Sequence, residues 1–241
     1  MKKLLYILSV ALVIFASGCS DDHENLPHKT PEATGTFTDT DGTEYKWVRY
    51  NGLDWMTSNY KGGSPYYEST DYWGDDLIYF EDKDLSISDF EIFGNMYTYD
   101  EANTLAPEGW RLPTDEDWQK LEQAMGMSAQ TADTRGWRGA GVGTLLQQDE
   151  SGTGINLLLG GIVCNRAGRP ESFMLRHVRA YGYYWTADLD STYTAERMAY
   201  YRRIRYNSTE IEREVTGIEV YDYWGDLYPT YMSVRYVRDA Q

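Results

Sequence analysis

The sequence predicts an α+β domain with few helices, many short strands and long loops. Three observations carry this. Aromatic residues make up 15% of the 241-residue chain, with 22 Tyr and 8 Trp, and Tyr, Trp and Val favour strands. The strand-like segments are short and divided by Gly, Asn and Asp. Complete helix signals are few, and the clearest lies at Thr114–Gly126.

In chain order, Asp41-Gly42 reads as a tight turn into the alternating run Tyr45–Tyr50. Asn51-Gly52 is a second turn, and Leu53-Asp54-Trp55-Met56 resumes extended. Asn-Gly and Asp-Gly supply the positive φ angles that hairpins need. Asp39, Asp41 and Glu44 lack the spacing of an EF-hand calcium loop, so the turn is the expected structure. Residues 61–93 read as an irregular acidic insertion with a short strand at Leu77–Phe80. Tyr99–Leu105 is expected to be a short helix. In the next helix Thr114 is the N-cap and Asp117 completes a capping box. Asp115 and Glu116 favour the positive end of the helix dipole. Trp118, Leu121 and Met125 share one face, and Gly126 stops the helix.

Arg135–Gly143, with four glycines, reads as loop. Leu157–Cys164 reads as an apolar strand. Short aromatic strands follow at Tyr181–Trp185, Met198–Tyr201, Ile218–Tyr221 and Met232–Val237.

The N-terminus is a separate matter. Lys2 and Lys3 precede the apolar run Leu4–Ala16, which is shorter than the ~20 residues that span a bilayer. Ala16-Ser17-Gly18-Cys19 then resembles the lipobox of a bacterial lipoprotein signal peptide, with Ala16 where Leu is usual. This implies cleavage before a lipidated Cys19. Ser20-Asp21-Asp22-His23-Glu24 is similar to the acidic export signal of Bacteroidetes lipoproteins. The expected organisation is therefore a signal peptide over 1–18, a lipidated flexible tether over 19–35 and one domain over 36–241. The expected location is the outer membrane, anchored through the Cys19 lipid and facing the cell exterior.

The formal net charge is −16, and residues 20–150 carry 27 acidic against 9 basic side chains. Such a chain is a poor binder of nucleic acid, which needs excess cations. Residues 151–241 carry eleven of each sign, and no Lys follows Lys120. Arginine's planar fork favours fixed pairs with carboxylates. With Cys19 lipidated, Cys164 is the one remaining cysteine, which excludes an intrachain disulfide. Cys164 is expected to act as a small buried hydrophobe.

Five blocks stand in order: Asp41–Val48 with Trp55-Met56-Thr57-Ser58-Asn59, Gly94–Tyr99, Pro107–Trp118, Gly182–Ala187 and Ser233–Val237. In that order they resemble the Fibrobacter succinogenes major paralogous domain family. Together they span residues 38–239. The resemblance implies a C-type-lectin-like, formylglycine-generating-enzyme-like fold and no established reaction. Ala106 and Tyr236 stand where that family often has cysteines, which implies the loss of one disulfide. Trp110, Trp118 and Trp185 are expected to be core anchors. Copper oxidase chemistry of the formylglycine type needs a cysteine pair, which Cys164 alone does not supply.

Function is least marked in the sequence. The expected role is a non-catalytic binding module for a glycan or a cell-surface protein. Its candidate residues are Trp73, Asp75, Asp76, Tyr223, Trp224 and Asp226, from the echoed segments Asp71-Tyr72-Trp73-Gly74-Asp75 and Asp222-Tyr223-Trp224-Gly225-Asp226. Aromatic faces stack on sugars and carboxylates accept hydrogen bonds from hydroxyls. The alternatives are a subunit of a surface fibre or uptake complex, and a glycan-active enzyme built on a carboxylate pair. No catalytic residue, cofactor or metal site is expected, and the lectin calcium motif is absent.

Overall fold

The computed structural model describes residues 26–63, 92–164, 174–221 and 224–240. Two four-stranded antiparallel sheets organise them. The first is built from β1 (Thr34–Thr38), β2 (Glu44–Tyr50), β3 (Leu53–Met56) and the last strand, β12 (Val237–Asp239), in that spatial order. The β2–β3 hairpin turns on Asn51 (φ 48°) and Gly52 (φ 74°), the left-handed pair that the Asn-Gly signal demands. At the preceding turn, Asp39 Oδ1 accepts from the backbone N–H groups of Asp41 (3.0 Å) and Thr43 (2.8 Å). β1 begins at Thr34, so the last residues of the expected tether are paired into the sheet.

Helices α1 (Tyr99–Thr104) and α2 (Asp115–Ala124) follow. Both carry capping boxes, Thr98 with Glu101 and Thr114 with Asp117. The short α3 (Ala129–Ala132), β4 (Gly136–Arg138) and α4 (Val142–Gln147) come next. The expectation of loop over Arg135–Gly143 is thus corrected: its glycines shape the flanks of a strand that sits at the edge of the second sheet.

That sheet has the order β4, β9 (Ile211–Gly217), β8 (Met198–Arg205), β7 (Tyr181–Leu189). Two hairpins complete the fold, β5 (Ile162–Cys164) with β6 (Met174–Arg176) and β10 (Glu219–Tyr221) with β11 (Leu227–Pro229). The expected strand over Leu157–Cys164 is regular only over β5, because Gly161 (φ 80°) breaks it. Met232–Val237 runs extended rather than as one ladder. It bridges Tyr97 through Met232 and β7 at Tyr184 through Ser233, then enters β12 at Val237, and so links the second sheet to the first. Leu77–Phe80 lies outside the described residues.

Two buried clusters fill the interior. One joins the inner face of the first sheet to α2, with Trp55 edge-on to Trp118 at 4.9 Å. The other is aromatic: Tyr45, Tyr60, Tyr97, Trp110, Trp185 and Tyr236 are all buried in it. Trp118 and Trp185 are fully buried, as the anchoring role requires. Cys164 is half-buried against this second cluster, less covered than the sequence led us to expect.

β9 was not legible as a strand because its inward positions are charged. Arg213 is buried because Asp115 takes its Nη2 at 2.7 Å, and Glu212 because Arg203 donates Nη2 at 2.9 Å. Beneath β8 and β4, fully buried Glu122 on α2 accepts from Arg202 Nε (2.6 Å) and Arg138 Nη2 (2.7 Å). The pairs of Asp115 and Glu122 fasten α2 to the sheet with charge, beside the apolar packing of Trp118 and Leu121.

Candidate binding surface

β9 leaves its sheet at Gly217, where a side chain would meet the Glu219 carbonyl at 2.6 Å. The chain then enters the β10–β11 hairpin. Its base is fixed: Ile218 and Thr230 are buried, Thr230 N–H donates to the Ile218 carbonyl (2.9 Å) and Ile218 N–H to that of Arg197 (3.0 Å). The register pairs Glu219 with Pro229, Val220 with Tyr228 and Tyr221 with Leu227. Directly paired residues project from the same face, so Tyr221 and Leu227 share one side. Gly225 (φ 88°) forms part of the turn.

The tip leaves apolar surface in water. Trp224 is 67% exposed, Tyr221 59% and Leu227 44%. Leaving two-thirds of a Trp solvated forgoes about 3 kcal/mol of burial. Three such residues on one short hairpin form a patch rather than scattered exposure. The structure brings Trp224 and Asp226 to this tip, both exposed. Trp73, Asp75, Asp76, Tyr223 and Cys19 lie outside the described residues. Tyr221 and Leu227 were not among the candidates from sequence. Their alternation around the Trp-Gly turn is the signal that would have found them.

A second concavity, of about 450 Å³, opens at the N-terminus of α2 and is lined by Asp115, Glu116, Asp188, Asp190, Tyr200 and Arg213 among others. Its carboxylates are committed. Burial pushes the Asp115 carboxyl up, but Arg213 and Arg202 outweigh it and hold it at about 2. Asp190 is held below its ordinary range by the Thr192 hydroxyl and N–H and by Arg135. Among the described residues, the carboxyl groups that are shifted, those of Asp100, Asp115, Asp117, Asp149 and Asp190, are all shifted downward. A general acid needs the opposite shift. Among the described residues no group of three or more His, Cys, Asp or Glu is arranged to hold a metal ion.

The segments singled out by their sequence pattern converge in the core. Trp185 Nε1 donates to the Tyr97 carbonyl at 2.8 Å, and Tyr236 Oη to that of Ala102 at 3.0 Å. Buried Arg235 donates to Asn59 Oδ1 (2.7 Å) and to the carbonyls of Met56 (3.0 Å), Ile155 (2.8 Å) and Asn156. Residues 48–238 match the sequence model of the Fibrobacter succinogenes major domain. The chain belongs to that family. No curated protein and no solved structure matches it. In this family member the Trp, Tyr and Arg residues of the matching blocks serve packing. Ala106 and Tyr236, at the positions where a disulfide was implied, border the same aromatic cluster, and Tyr236 fills it with a ring.

Proposed function

We propose that this Fibrobacter succinogenes major domain is a non-catalytic binding module, displayed outside the cell by a lipid on Cys19 in the outer membrane. Its ligand is a glycan or a cell-surface protein. The observation that carries the reading is the β10–β11 hairpin, which holds Trp224 two-thirds exposed beside exposed Tyr221 and Leu227. Rigid aromatic faces stack on sugar rings and anchor interfaces at low entropic cost. The downward-shifted carboxylates of the α2 cleft support binding over acid catalysis. We further propose that the α+β architecture is of the C-type-lectin-like kind, with the hairpin among its ligand-facing segments.

One observation favours the second reading, a subunit of a fibre or uptake complex. β1 is an edge strand, and among the described residues no strand pairs with its outer side. Such an edge takes up another chain by strand addition.

A glycan array probed with the detergent-solubilised full chain tests the first reading. Trp224→Ala is expected to abolish the wild-type signal while leaving the melting temperature unchanged. Absence of binding with and without calcium, or an unchanged Trp224→Ala profile, refutes it.

A further inference from the structure

The face of the second sheet opposite α2 carries an arginine that stacks on a ring and pairs with no carboxylate among the described residues. Across that face the ladder aligns Tyr183 with Arg203, Arg203 with Glu212 and Glu212 with Trp137, and one step along it sets Tyr181 against Arg205. Arg203 lies 5.3 Å from the rings of both Trp137 and Tyr181, and its charge is met by Glu212. Arg205 stacks closer on Trp137, at 4.4 Å. Its neighbours in the sheet, Arg202, Arg203 and Arg213, all reach carboxylates. Arg205 reaches none among the described residues, and its Nε is shielded from solvent with no acceptor.

This is costly. A half-buried guanidinium without a counter-charge loses hydration and gains only the ring. In a chain of net charge −16, acidic partners are abundant, so its isolation is a placement rather than a shortage. Stacking occupies one face of the guanidinium, and its N–H groups reach no carboxylate among the described residues. The N–H edge of a guanidinium is the shape that receives a carboxylate through two parallel hydrogen bonds. Opposite Arg205 in the ladder stands half-buried Tyr181, with His177 5.2 Å from its ring; the neighbouring Tyr183 is buried, its hydroxyl held by His177 and Arg203. A partly open tyrosine beside an anion receptor suits a sugar ring bearing one carboxylate. The chain's overall negative charge opposes polyanions such as nucleic acid.

We propose that Arg205, held on Trp137, is the anion-recognising group of a subsite for acidic sugars of the uronic-acid class. The subsite is separate from the hairpin. It lies at the Arg203–Glu212 end of the β8–β9 ladder, whereas the hairpin grows from the Met198–Gly217 end.

Calorimetric titration of the detergent-solubilised full chain with digalacturonate tests this, with neutral galactobiose and N-acetylglutamate as controls. Digalacturonate is expected to bind, more weakly at high salt, and galactobiose not to bind. Arg205→Met is expected to weaken binding at least about tenfold, with Arg205→Lys between it and wild type. Trp224→Ala is expected to leave this binding unchanged, so the subsite and the hairpin stand or fall separately. Arg205→Met is also expected to melt at or above the wild-type temperature, because the lost contact with Trp137 is offset by apolar packing of Met on the same ring and by removal of an uncompensated charge. The proposal is overturned by any of four results: no saturable digalacturonate binding, equal binding by Arg205→Met, N-acetylglutamate binding as tightly as digalacturonate, or a lowered melting temperature in Arg205→Met.

Discussion

Replacing Glu122 by Gln tests how this fold is held together. Glu122 is fully buried and serves two cations at once, Arg202 Nε at 2.6 Å and Arg138 Nη2 at 2.7 Å. Gln keeps the volume and helix propensity but removes the charge. It also turns one acceptor into an N–H₂ group facing a guanidinium. Arg202 retains Asp115 at 2.8 Å, whereas Arg138 retains only carbonyls, that of Ile211 at 2.9 Å and that of Ala132 at 3.4 Å. Breaking a buried pair while leaving its partner charged costs about 3–5 kcal/mol. For a domain of this size each kcal/mol lowers the melting temperature by about 2–4 °C, so a fall of about 6–20 °C is expected by calorimetry. The double variant Glu122→Gln with Arg138→Gln is expected to lose less than the sum of the singles, since the stranded cation goes too. A loss under about 1 kcal/mol for Glu122→Gln, or strict additivity in the double variant, refutes the view that charge pairing fastens α2 to the sheet.

Other outcomes follow from the same geometry. Asp115 is held at about 2 against an ordinary 3.8, so its pairs contribute stability that is complete above pH 4–5 and lost as the pH falls toward 2. The single site is worth about 2 kcal/mol. Urea unfolding at pH 7 and pH 3 checks it, and Asp115→Asn is expected to flatten the difference. Gly182→Ala is expected to destabilise by about 1–3 kcal/mol, because its Cβ would sit 2.2 Å from the Leu158 carbonyl, a backbone atom that cannot step aside; thermal melting measures it. Cys19→Ser is expected to abolish incorporation of labelled palmitate and to release the protein from membranes on fractionation. Labelling that persists in the variant refutes lipidation at that position.

How legible the molecule was varied by element. The β2–β3 hairpin and α2 were readable because their signals are local: Asn51-Gly52 supplies the turn, and Thr114 with Asp117 closes the capping box within four residues. β9 was hidden because Glu212 and Arg213 are buried only by virtue of partners on β8 and α2, distant in sequence. Leu157–Cys164 misled in the other direction, since an apolar run reports burial and not ladder pairing. Of the proposed surface, Trp224 and Asp226 were candidates from a short echoed motif, whereas Tyr221 and Leu227 joined them only once the hairpin register paired them beside that turn. Arg205 had no signal at all, because an arginine's lack of a partner is a property of space.

The sequence by itself determined the α+β class, the turns, the helix caps, the membership that residues 48–238 display and the pairing tendency of an arginine-rich second half. Only the tertiary structure decided which of the described arginines are spent on carboxylates and that Arg205 stacks on a ring instead. It likewise decided which aromatics are core and which are exposed. Turns and caps are settled by atoms a few residues apart. Burial and charge balance are settled by long-range contacts, and a local pattern carries no record of them.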